Sequence, residues 1–200
     1  MVTLLKNTIF IIHSSIMRIT YNAPFTLTLT LVCTTIRFLG NSITDTLFTV
    51  SGSMNFYNPI DYFRLFSHAL GHGDWAHLIG NISLILILGP LLEEKYGSKE
   101  LMYMSFITAF VTGILNILFF DTGLLGASGL VFMMILLSSF TNFRSGTIPL
   151  TFILVLLFYV GNEVYQAFQS DNISQFAHIF GGLAGSIFGF RGGKNVSGKQ

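Results

Sequence analysis

Residues 64–81 read RLFSHALGHGDWAHLIGN and pass without a break into ISLILILGPLL at 82–92. A histidine-rich, partly polar stretch thus leads into an apolar run of helix length, and that join decides the fold. His77 and Asn81 are spaced i, i+4, so they share one face at the start of a helix opening near Trp75. His72 precedes them across a turn containing Gly73 and can fold back toward the same place. Ionisable residues at the mouth of a membrane helix are costly, and their default meaning is functional. Of the five histidines, His68, His72, His77 and His178 flank apolar runs, and only His13 lies elsewhere. The plain structural alternative is an interfacial cluster that caps a helix and bonds backbone carbonyls.

The rest of the chain agrees with a membrane setting. Its 200 residues are 52% hydrophobic and 10% charged, with mean hydropathy +0.68. Soluble domains carry about 25% charged residues, so the apolar surplus here must meet lipid. Net charge is +1 and no basic run interleaves with aromatics, which argues against nucleic acid as a partner. One cysteine, Cys33, excludes an internal disulfide.

A bilayer core of about 30 Å needs roughly 20 apolar residues per helix. On that measure six spans are expected, near 19–39, 75–92, 101–120, 128–143, 147–168 and 173–190. The expected class is all-α: a polytopic six-helix membrane bundle at 19–190, with an interfacial or cytoplasmic segment at 1–18 and a tail at 191–200. Residues 1–17 hold Phe10-Ile11-Ile12, too short to span, and no small-residue cleavage site; Met17 is an alternative start. Lys6, Arg18, Lys95, Lys99, Arg144, Arg191, Lys194 and Lys199 fall in the termini and alternate loops, whereas the opposite connections carry Asp45, Asp61, Asp74, Asp121 and Asp171, with Arg64 as their one clear base. Basic residues favour the cytoplasmic side, so both termini are expected inside. Arg37, near the outer end of the first span, is expected to snorkel to the interface.

Two further motifs complete the pattern. Gly126-Ala127-Ser128-Gly129 opens the fourth run, which holds only about 15 apolar residues, or ~22 Å at 1.5 Å per residue. A helix that short submerges Ser128 below the outer surface, at an N-terminus whose free N–H groups suit an oxyanion. In the last run, Gly181, Gly185 and Gly189 repeat every fourth residue, a stripe that admits a close neighbour, with His178 one turn above. If the fourth helix is that neighbour, the imidazole reaches the Ser128 hydroxyl. No carboxylate lies in either helix, so the pair would be a dyad, with Phe132 as a ring to steady His178.

FRLFSHALGHGDWAHLIGN (63–81), GASG (126–129) and AHIFGGLAG (177–185) together resemble the rhomboid intramembrane serine proteases. The resemblance runs from residue 19 to 190 in the same order. It implies Ser128 as nucleophile and His178 as base, with His77, Asn81 and the Ser128 N–H stabilising the oxyanion. His72 completes the histidine signature, while Gly126, Gly129, Gly181 and Phe132 support the site. Glu93, between Gly89 and Gly97, is implied to be structural and on the inner side. The family often carries Trp-Arg where this chain has Phe63-Arg64, and some members place Tyr at Phe132. The first outer loop also looks short.

The implied activity is cleavage of single-pass transmembrane substrates near the outer face, without metal or cofactor, by a monomer in a bacterial plasma membrane. Two alternatives stand beside it. One is a non-catalytic membrane chaperone or adaptor on the same fold. The other is a metal-dependent membrane hydrolase using His72, His77 and His178, against which the five-residue step from His72 to His77, about 140° around a helix, differs from the i, i+4 pair of zinc hydrolases.

Overall fold

A computed structural model describes residues 19–139 and, beyond them, helical residues at 150, 153–154, 157–158, 161, 179–185 and 187. The first helix, α1 (Pro24–Leu39), starts on a proline, which fixes φ where the N–H has no helical partner anyway. Expected from residue 19, it begins five residues later for that reason. Its remaining N-terminal donors go to a carboxylate far along the chain. Phe25 N and Thr26 N donate to Glu93 Oε1 and Oε2 at 2.8 and 2.9 Å, and Thr26 Oγ1 donates to Oε2 at 2.8 Å. Ser98 Oγ adds a bond to Oε1 at 2.6 Å. Glu93 is therefore a helix cap supplied by a neighbouring helix. Gly89 makes this possible, since a Cβ there would lie 2.6 Å from Thr26 Oγ1.

Gly40 (φ 94) ends α1 and turns the chain into α2 (Asn41–Leu47). Then comes α3 (Pro59–Ser67), capped by the Asn58 side chain accepting from Ile60 N, and a 3-10 turn at His68–Leu70. The short first loop of the sequence reading is thus a folded unit. Arg64 binds it together: Nη1 pairs with Asp61 Oδ1 at 2.7 Å, while Nε and Nη2 donate to Thr46 O at 2.9 and 2.6 Å. Ser67 Oγ donates to Leu47 O at 2.6 Å. These bonds satisfy helix-end carbonyls that would otherwise be stranded.

Helices α4 (Trp75–Tyr96) and α5 (Ser98–Phe119) are joined through one glycine, Gly97, at φ 86. Each has 22 residues, about 33 Å long, and both are long and apolar enough to cross a bilayer. Ile79, Ile87 and Leu91 on α4, and Phe106, Leu118 and Phe119 on α5, lie exposed in an array that water would not tolerate. The sixth helix, α6 (Ser128–Ser139), is different: Leu130 through Leu137 are all at most 6% exposed. A helix buried on every side is the centre of a bundle. Among the described residues there is no strand, only one bridge between Val50 and Leu124. Of the six expected spans, two fall on α4 and α5, which are long enough to cross a bilayer, and two on the shorter apolar helices α1 and α6; most of the last two, with residues 1–18 and 191–200, lies outside the described residues.

Candidate active site

Asp74 sets the start of α4. Its carboxylate accepts from His77 N at 2.8 Å, which holds the Asp74 pKa below the usual carboxylate range. This cap fixes His77 in the first helical turn and Asn81 one turn further in. His77 is partly buried, Asn81 is 6% exposed, and His72, just before the helix, is fully buried.

The three side chains form one array. Asn81 Nδ2 lies 3.1 Å from His72 Nε2, and His72 Nδ1 lies 3.3 Å from Leu70 O. An amide nitrogen only donates and a carbonyl only accepts, so these partners select the neutral His72 tautomer with its proton on Nδ1. Burial, and then the neighbouring His77, push the His72 pKa down from 6.5 to about 4, consistent with a neutral ring. The His72 and His77 rings meet edge to face, with centroids 5.0 Å apart. The array leaves one Asn81 Nδ2–H for another acceptor.

Ser128 arrives from the other side. The loop before it is held by Val50–Leu124 backbone bonds of 3.0 and 2.8 Å, and by Gly126 N donating to His68 O at 2.9 Å. Gly126 sits at φ 123, a region closed to most side chains. A Cβ at Gly126 would lie 2.7 Å from His77 Nε2 and 3.8 Å from Ser128 Oγ, so the imidazole and the hydroxyl converge where only glycine fits. The first α6 bond runs from Val131 N to Ala127 O, which makes Ser128 the first helical residue. N–H groups at such a position have no partner within the helix and carry its positive end. Ser128 is 6% exposed and Ala127 fully buried.

His178 and Gly189 lie outside the described residues. The residues just after His178 are helical at 179–185 and pack between α5 and α6. Here the glycine stripe differs from expectation. Gly181 and Gly185 face α5, at Thr112 and Thr108, and Gly185 also nears Met133. It is Gly182 that meets the serine helix: its Cβ would lie 2.5 Å from Phe132 Cδ1, 3.0 Å from Met133 N and 3.1 Å from Gly129 O. A strict every-fourth pattern misses Gly182 because this helix touches two neighbours, each along its own line. His68, grouped with the cluster by sequence, instead ties the 3-10 turn to α5, its Nε2 lying 3.0 Å from Ala109 O.

Arg37 has partners that the sequence did not reveal: its Nη1 donates to His72 O at 3.0 Å, Gly73 O at 2.9 Å and Asn41 Oδ1 at 2.5 Å. The two carbonyl partners lie 35 and 36 residues from Arg37, and spacing does not reveal them.

A family model described as the rhomboid domain matches residues 59–195. The chain is 25% identical over 133 residues to the rhomboid protease GlpG of Haemophilus influenzae, covering 65% of this chain and 69% of that one. It is 29% identical over 112 residues to the rhomboid protease GlpG of Klebsiella pneumoniae, covering 54% and 40%. To the chloroplastic rhomboid-like protein 11 of Arabidopsis thaliana it is 26% identical over 156 residues, covering 76% and 52%. The chain thus spans between two fifths and about two thirds of these relatives. A helical bundle that links His72, His77 and Asn81 and brings His77 to a buried GASG serine, matched by a domain model over more than half its length, belongs to the rhomboid family.

Proposed function

We propose that this chain is an intramembrane serine endopeptidase, with Ser128 as nucleophile and His178 as general base. The observation that carries the reading is the convergence of the His77 ring, itself packed on the His72–Asn81 pair, and the Ser128 hydroxyl at the N-terminus of a helix buried on all sides. Ser128 Oγ attacks a peptide carbonyl carbon as its proton passes to His178. Negative charge on the carbonyl oxygen is met by the Ser128 N–H, a His77 ring N–H and the free Asn81 Nδ2–H. Collapse expels the amine, which takes the proton from His178, and water then hydrolyses the acyl-enzyme.

His178 enters through the family resemblance and through its position four residues ahead of Gly182, whose backbone lies against Phe132 and Gly129. In this reading His178 takes the Ser128 proton and Phe132 is the ring that steadies it. Substrates are single-pass transmembrane helices, cut near the outer face at small or helix-breaking residues, because a regular helix shields its peptide bonds. The distribution of Lys and Arg supports six spans with both termini in the cytoplasm, and bacterial GlpG relatives support a plasma membrane. The enzyme acts as a monomer.

The deciding experiment is cleavage of a single-pass substrate by the purified chain in proteoliposomes, beside labelling by a fluorophosphonate. Ser128→Ala is expected to abolish both. Cleavage by Ser128→Ala at the unmodified rate would overturn the assignment.

A further inference from the structure

The turn that carries His72 is gripped from outside the site. Arg37, in the last turn of α1, donates from Nη1 to the carbonyls of both His72 and Gly73, and its guanidinium lies 5.9 Å from the centre of the Trp75 ring. Phe38, the next residue, meets Trp75 edge to face at 4.8 Å. Asn41 Oδ1, at the start of α2, accepts from the same Nη1 and holds the cation in place. On the inner side of this turn, the His72 ring accepts from Asn81 Nδ2. One residue, His72, thus links an α1 cation to the Asn81 amide.

We propose that Arg37 is a positioning residue for hydrolysis: by holding the His72 and Gly73 carbonyls it sets the His72 ring, which orients the Asn81 amide toward the oxyanion. Its hold is an ion-to-carbonyl hydrogen bond in a partly buried place, stronger than a neutral one. A shorter, neutral side chain at position 37, such as glutamine, loses the reach and the charge that hold both carbonyls and lets the turn relax. An oxyanion donor displaced by even an ångström loses transition-state stabilisation while substrate binding is little changed.

The inference rests on the protease reading, so the test separates the two in a double-mutant cycle on the full chain in proteoliposomes. Arg37→Gln is expected to lower kcat about tenfold with KM within about twofold; in an Asn81→Ala background it should cost less than about twofold, because the group it positions is gone. A purely structural Arg37 would cost the same factor in both backgrounds, and that result overturns the proposal. Should Arg37→Gln lose its cooperative melt, Asn41→Ala carries the same cycle, with an expected loss of about threefold that vanishes beside Asn81→Ala. Equal losses there overturn it too. Failure of the protease reading appears separately, as undiminished cleavage by Ser128→Ala.

Discussion

The Asn81 side-chain amide donates to Nε2 of His72 across 3.1 Å, joining residues nine apart in sequence inside the protein. That bond determines which way the amide faces. With one N–H committed to His72, the other is left for a second acceptor. Replacing Asn81 with alanine removes this donor and leaves the fold's apolar contacts in place. Loss of one oxyanion donor costs about 100-fold in kcat or more. Steady-state cleavage of a membrane substrate by Asn81→Ala should show that loss with KM little changed.

The same bond needs His72 unprotonated, which gives a pH signature. Burial lowers the His72 pKa from 6.5 to about 4 in the folded chain. Between those values the unfolded chain binds a proton that the folded chain refuses, so stability is full above about 6.5 and falls as pH drops toward 4. The window corresponds to roughly 3 kcal/mol. Thermal melts from pH 7 to 4 in detergent should show the decline, and His72→Gln, which keeps an acceptor but does not titrate, should flatten this part of it.

Gly126 tolerates no side chain. Its φ of 123 is strained for any other residue, and a methyl group would lie 2.7 Å from the His77 ring. Gly126→Ala should destabilise the protein by about 1–3 kcal/mol. Displacing His77 from Ser128 should also reduce fluorophosphonate labelling in the protein that remains folded.

Glu93 acts far from the serine. Glu93→Gln keeps the side-chain shape but offers one acceptor oxygen where four donors now share two, so at least one α1 donor is orphaned. A stability loss of about 2 kcal/mol is expected in a reversible detergent titration, with cleavage per folded molecule nearly unchanged.

Much of the candidate site was readable along the chain, because its pieces sit on short local repeats. His77 and Asn81 share a face by the i, i+4 rule, and Ser128 follows a Gly-Ala pair at a helix start. Less was readable wherever partners lie far apart in sequence. The folded first loop depends on Arg64 meeting Thr46, and the α1 cap on Glu93 meeting residues 25 and 26. Periodicity describes one helix at a time and is silent on which neighbour each face meets, so neither the contact of Gly182 with the serine helix nor the partners of Arg37 could be read from spacing.

By itself, then, the sequence determined that the chain is helical, membrane-embedded and equipped with a GASG serine and a histidine–asparagine face. Hydropathy and the 3.6-residue period depend only on near neighbours and the solvent. Tertiary structure alone decided that α6 is buried on every side, that Gly126 brings His77 to Ser128, and that an arginine of α1 grips the His72 turn. Those relations join residues 35 or more positions apart. They arise from packing several helices around one core, where close approach at a glycine or a shared carbonyl has no signature in local spacing.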